Sequence, residues 1–106
     1  MLIYLAGPLS AKNLLARTAN IDVAAQVFFT LVRQGLPAYC PHFSGLHIDA
    51  WKIDEKCWKR YDLRILSQCS HIYMLPRWET SLGARRERAY AKLHKKIVVY
   101  SVEELL

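Results

Sequence analysis

The sequence has no apolar run approaching the ~20 residues that a membrane-spanning helix needs, which excludes a helical membrane protein. Its opening, Met1-Leu2-Ile3-Tyr4-Leu5-Ala6, carries no basic residue, so no secretory signal is expected and the expected compartment is the cytoplasm. Cysteine is scarce: Cys40, Cys57 and Cys69 are an odd number at wide spacing, which excludes a disulfide framework. Cys40, His42, His47 and Cys57 could be drawn as a zinc site, but there is no CxxC or HxxxH pair. Reduced, buried thiols are the reading, and neither a metal nor a cofactor is expected. Walker and GxGxxG loops are both missing, as are internal repeats, low-complexity segments and linkers. The composition also excludes a coiled coil.

What is present describes one soluble domain spanning residues 1–106. A chain of this size buries roughly 60–70% of the surface it exposes when unfolded, enough for one apolar core. Hydrophobic residues at 53% and charged residues at 23% exclude intrinsic disorder. The formal net charge of +6 is concentrated locally: Arg85, Arg86, Arg88, Lys92, Lys95 and Lys96 cluster with a single acid, Glu87. Such a run attracts an anion or forms a solvated helix face. It lacks interleaved aromatics for base stacking, which disfavours nucleic acid as a partner.

Residues 2–6 form a continuous apolar run stopped by Gly7-Pro8, as a buried parallel strand would be. Residues 9–19 read as a loop or a frayed helix start. From Asn20, the apolar positions Ile21, Ala24, Ala25, Phe28, Phe29, Leu31 and Val32 recur at three- and four-residue steps. They predict a helix capped by Thr18 or Asn20 and stopped at Gly35. A second strand covers residues 36–40, a loop 41–50, a helix roughly 54–68, a third strand 71–75, a loop 76–82, a helix 83–94 and a fourth strand 97–100. Ser101 to Glu104 has the spacing of a capping box. The alternation predicts an α/β domain with a parallel sheet and right-handed crossovers. Ligands then bind beyond the carboxyl ends of the strands, where residues 7–10, 41–50 and 76–81 lie.

Several residues there can carry chemistry. Glu87 has Gly83, Ala84, Tyr90 and Ala91 at three and four steps, so no intrahelical ion pair accounts for it. It shares a face with Ala84 and Ala91, which points it toward the sheet, where the helix dipole would favour its charged form. The alternative is an exposed glutamate at a helix edge. Asp62 lies between Trp58 and Ile65, with Lys59 three steps away as a possible surface partner. Two carboxylates are the minimum for displacing a glycosidic leaving group. The turn Gly7-Pro8-Leu9-Ser10 offers close backbone approach and a hydroxyl. Ser81-Leu82-Gly83 at a helix start offers amides and a hydroxyl to an anion, or a helix cap. Tyr4 is a core tyrosine or points its hydroxyl at a carboxylate. Trp78 stacks on a base or lids the core. His42 and His47 are possible loop ligands or general acids.

Taken in order, Tyr4-Leu5-Ala6-Gly7-Pro8-Leu9-Ser10, Asn20, Pro41-His42, Tyr61-Asp62-Leu63 and the segment Trp78 to Glu87 with Ala91 form a pattern. The chain resembles the nucleoside 2-deoxyribosyltransferase-like superfamily, closest to a short branch with a GPxS … WExSxGAxxE pattern. The resemblance spans nearly the whole chain, and residues 78–87 are its most specific part. It implies a flavodoxin- or Rossmann-like three-layer sandwich with a four- to five-stranded parallel sheet. It also implies cleavage of the N-glycosidic bond of a nucleoside or deoxynucleoside, or of its 5′-monophosphate. Glu87 matches the nucleophile, Asp62 the residue that helps protonate the leaving base, and Tyr4 the residue that orients the nucleophile. Gly7, Ser10, Ser81, Gly83, Trp78 and His42 are the expected substrate-binding residues, with Ser81 matching a serine that contacts 5′-phosphate. Ser70 and Arg77 stand where the family often has aspartate and glycine. The implied partners are a small nucleoside or nucleotide and a second copy of the chain, as a homodimer or higher oligomer. The rival readings are a nucleotide-binding or sensor module without turnover and a basic adaptor for nucleic acid.

Overall fold

The computed structural model describes residues 1–46 and 48–106. The strands are β1 (Ile3–Ala6), β2 (Ala38–Tyr39), β3 (His71–Met74) and β4 (Ile97–Val99). The helices are α1 (Leu14–Arg33), α2 (Glu55–Ser67) and α3 (Leu82–Leu93). All strand pairs are parallel, in the order β2-β1-β3-β4. This is a Rossmann-like α/β sheet of four strands, as the sequence alternation predicts. Among the described residues no helix is long and apolar enough to cross a membrane.

The pleat divides the core in two. Ile3 and Leu5 of β1 join Ala24 and Leu31 of α1, with Tyr73, Leu75 and Val99. Tyr4 and Ala6 point the other way and join Leu66 of α2 and Ala84 and Ala91 of α3, with Ile72 and Met74. Side chains one residue apart on a strand serve opposite faces, so β1 stitches the two layers together. Its four residues are all essentially inaccessible, as expected of a strand covered by helices on both sides.

Helix α1 starts six residues before Asn20. Its cap is Asn13, whose side-chain oxygen accepts from the Ala16 amide at 2.8 Å. The hydrophobic period misses this first turn and a half because Leu14 and Leu15 are 68% and 83% exposed. A helix end whose leucines face solvent does not continue the buried apolar stripe. Asn20 is consequently an interior, buried residue and not a cap. Gly35 stops α1 as expected, with φ 72°, and the Leu36 amide closes back on the Leu31 carbonyl at 2.9 Å. Residues 41–52, expected as loop to residue 50, contain two 3-10 turns, Pro41–Gly45 and Ile48–Lys52. The capping box at Ser101 and Glu104 is present.

Candidate functional site

The β1 strand delivers Tyr4 to the face shared with α2 and α3, and register sets its neighbours. Tyr39 of β2 and Ile72 of β3 lie level with it on either side. The Tyr4 ring is fully buried, and its hydroxyl donates a hydrogen bond to Glu87 Oε2. Glu87 therefore points inward from α3, on the face it shares with Ala84 and Ala91. Burial pushes its carboxyl up to about 7; the Tyr4 hydrogen bond opposes that rise, and the charge of Asp62 adds to it. The helix dipole is expected to favour the charged form; burial acts in the opposite direction.

Asp62 reaches the same space from α2. Lys59 does not neutralise it, because Lys59 pairs with Glu55 at 3.8 Å on the exposed side of the helix. Asp62 Oδ1 is buried and finds no hydrogen-bond partner among the described residues. Burial raises its carboxyl to about 6. Burial also raises the Tyr4 hydroxyl far above its ordinary value, with Glu87 and Asp62 contributing further, so that hydroxyl stays a donor. Two carboxyls of different support interact here by charge. One accepts from a donor and the other has a buried oxygen without a partner among the described residues, an arrangement that can divide nucleophile and acid roles.

Around this pair, Gly7 ends β1 where the chain passes close to β3. A Cβ on Gly7 would lie 2.7 Å from Leu75 Cβ, so only glycine fits. Ser10 is exposed beyond it. Ser81 caps α3, its hydroxyl accepting from the Ala84 amide at 3.1 Å, while the hydroxyl proton remains free to donate. Gly83 is exposed on the first turn of α3.

Over residues 1–100 the chain matches a family described as Domain of unknown function (DUF4406). The chain belongs to that family. A comparison with curated proteins found no match.

Two expected contacts have other occupations in this DUF4406 chain. The His42 ring is 2% exposed, with Nε2 3.0 Å from the Pro8 carbonyl and Nδ1 3.7 Å from Cys40 Sγ. A carbonyl only accepts, so Nε2 carries the proton and donates, leaving Nδ1 to accept from the thiol. Burial lowers the pKa of His42 and keeps the ring neutral. It is a strut beneath the Gly7-Pro8 turn, not an open loop ligand, because both nitrogens are engaged. Trp78 packs against the Tyr4 cluster and carries the Arg88 guanidinium 4.8 Å above its ring. Arg88 Nε in turn donates to the Tyr100 hydroxyl at 2.9 Å. Trp78 is therefore the lid anticipated as its alternative role, and a base stacking on that face would have to displace Arg88.

The basic run of α3 is not uniformly solvated either. Besides Arg88, Lys96 Nζ donates to the Ser67 carbonyl at the end of α2, at 2.9 Å. Among the described residues no three His, Cys, Asp or Glu side chains gather to hold a metal. His47 lies outside the described residues.

Sequence reasoning gave no site role to Tyr39 and Asn20, and noted Arg77 only as a departure from the resemblance. The Tyr39 ring lies 5.9 Å from that of Tyr4, and burial pushes its hydroxyl up to about 12. Only the order β2-β1-β3 brings it there, and no periodicity encodes strand order. Asn20 and Arg77 meet across 57 positions of sequence, Arg77 Nη2 donating to Asn20 Oδ1 at 2.8 Å. Two grooves flank this region. One of about 440 Å³ on the outer side of α1, around Asp22, Phe29 and Arg33, is remote from the carboxyls. Another of about 450 Å³ lies between the start of α1 and the start of α2, walled by Leu14, Arg17, Trp51 and Trp58. Trp58 stands one helical turn before Asp62, which makes this second groove the nearer approach to the pair.

Proposed function

We propose that this chain cleaves the N-glycosidic bond of a nucleoside or deoxynucleoside, or of its 5′-monophosphate, with Glu87 as nucleophile. The observation that carries the reading is the Tyr4–Glu87 hydrogen bond with Asp62, whose buried Oδ1 finds no partner among the described residues, close enough for its charge to raise the Glu87 carboxyl. A pair titrating at about 6 and about 7 holds one proton near neutral pH. Glu87, with the higher value, holds that proton at rest; the reactive form is the one in which the proton has moved to Asp62 and the Tyr4 donor supports the negative charge left on Glu87. Glu87 attacks C1′ as the C1′–N bond breaks, through an oxocarbenium-like transition state. Asp62 transfers its proton, directly or through water, to the leaving base nitrogen. The glycosyl ester on Glu87 is then released by water in a hydrolase or by a second base in a transferase. In hydrolysis Asp62, now ionised, takes the proton of the attacking water, and the pair returns to its starting state.

The test is chromatographic detection of free base from a panel of nucleosides and 5′-monophosphates. Glu87→Ala is expected to lower release by about a thousandfold or more, and Asp62→Asn by about a hundredfold or more. The wild-type rate is expected to follow a narrow bell. It falls below about pH 6, where both carboxyls are protonated, and above about pH 7, where both are charged. Full activity in Glu87→Ala refutes the nucleophile. Monophosphate binding without any base release points instead to a nucleotide-binding module.

A further inference from the structure

Arg77 follows β3 and precedes the Trp78–Thr80 turn, with φ 64°. A side chain costs most in that left-handed region and glycine least, so an arginine here is kept against its backbone preference. Its guanidinium crosses the end of the sheet to α1, where Nη2 meets Asn20 Oδ1 at 2.8 Å. The Asn20 amide nitrogen in turn donates to the Leu9 carbonyl at 3.3 Å. Asn20 and His42 are both buried, and both bond the turn after β1: one at Leu9, the other at Pro8. Buried polar groups are therefore used to fix that turn and, through Asn20, one arginine above it.

The position is also the one where an α/β sheet opens for a ligand. The chain runs from β1 outward to β2 and returns to β3 on the other side of β1, so the loops after β1 and β3 part at the switch point. Arg77, in the loop after β3, is linked to the loop after β1 through Asn20 of α1. Of its five donors it commits one to Asn20, and among the described residues it belongs to no ion pair. The first turn of α1, which the bridged segment enters, holds no acid. An exposed guanidinium tethered at one nitrogen by Asn20, with donors to spare, matches a phosphate group, which it can bind in bidentate fashion.

We propose that Arg77 is a specificity residue that binds the 5′-phosphate of the substrate, so that the chain acts on nucleoside 5′-monophosphates in preference to free nucleosides. The inference rests on the glycosidase reading for the reaction but not for the binding. The experiment compares wild type, Arg77→Ala and Arg77→Gly, the last of which suits the backbone and so guards the fold. Each is given the four 2′-deoxynucleoside 5′-monophosphates and the four matching nucleosides, with base release and calorimetric affinity both measured. The ratio of kcat/KM for monophosphate over nucleoside is expected to fall at least tenfold in both variants, with a matching loss of monophosphate affinity. An unchanged ratio alongside a Glu87-dependent rate overturns the inference and leaves the glycosidase reading standing. If wild type releases no base, that reading fails and affinity decides. A tenfold weaker monophosphate complex with Arg77→Gly upholds the inference; equal affinity, or no binding by wild type, overturns it.

Discussion

The two sides of the sheet draw on the same strand and differ in what they bury. Toward α1, Ile3 and Leu5 meet Ala24, Leu31 and Leu75 in an apolar cluster. Toward α2 and α3, Tyr4 stands among aliphatic neighbours but ends on a carboxylate, with a second carboxyl close by. Removing apolar surface from water stabilises the fold on both sides. Removing carboxyls from water costs stability whenever they are charged. One side is therefore a support and the other holds carboxyls whose charged forms cost stability, and β1 couples them one residue apart.

Three substitutions probe that contrast. Leu5→Ala, on the α1 side, is expected to cost about 2–5 kcal/mol in urea unfolding, because Leu5 is fully enclosed and leaves a cavity. A loss below about 1 kcal/mol would mean that the α1 side is not the support described.

Glu87→Gln is expected to act in the opposite direction. In the folded chain Glu87 and Asp62 titrate at about 7 and about 6, above their ordinary values of 4.5 and 3.8. The folded state thus holds protons that the unfolded state releases, and stability is lost as pH rises through that window. At about pH 8 the variant should be more stable than wild type by about 1–2 kcal/mol, and the advantage should vanish near pH 4. A destabilised variant at the higher pH would show that the charged carboxylate is well solvated by its surroundings.

The smallest effect compares the helix ends. α1 ends on Gly35 with φ 72°, whereas α3 ends on Lys95 with φ 59°, each followed by the same backward hydrogen bond, Lys96 amide to Ala91 carbonyl at 2.8 Å in the second case. Lys95→Gly should raise stability by about 1 kcal/mol by relieving the left-handed strain. Calorimetric melting shows it as a higher Tm, and an unchanged Tm would mean that Lys95 gains elsewhere what its backbone loses.

The elements were legible where burial is regular. The run at β1, the stripe of α2 and the stop at Gly35 follow from hydrophobic period and turn chemistry. The start of α1 was not, because Leu14 and Leu15 face solvent and leave no pattern. Glu87 was legible as a singular acid on an alanine face, since a helix fixes which residues share a side. His42 was misread because its two bonds, to Pro8 and Cys40, depend on a loop path that the sequence does not encode.

Alternation of apolar runs and helical stripes was enough, by itself, to determine a parallel α/β sheet, because local geometry makes periodicity visible in the chain. Which strand neighbours which was decided only in three dimensions, and with it the meeting of Tyr4 with Glu87, of Tyr39 with Tyr4 and of Arg77 with Asn20. These pairs join residues 83, 35 and 57 positions apart. Contacts at such separations arise from the packing of whole elements against each other, which no local pattern of residues records.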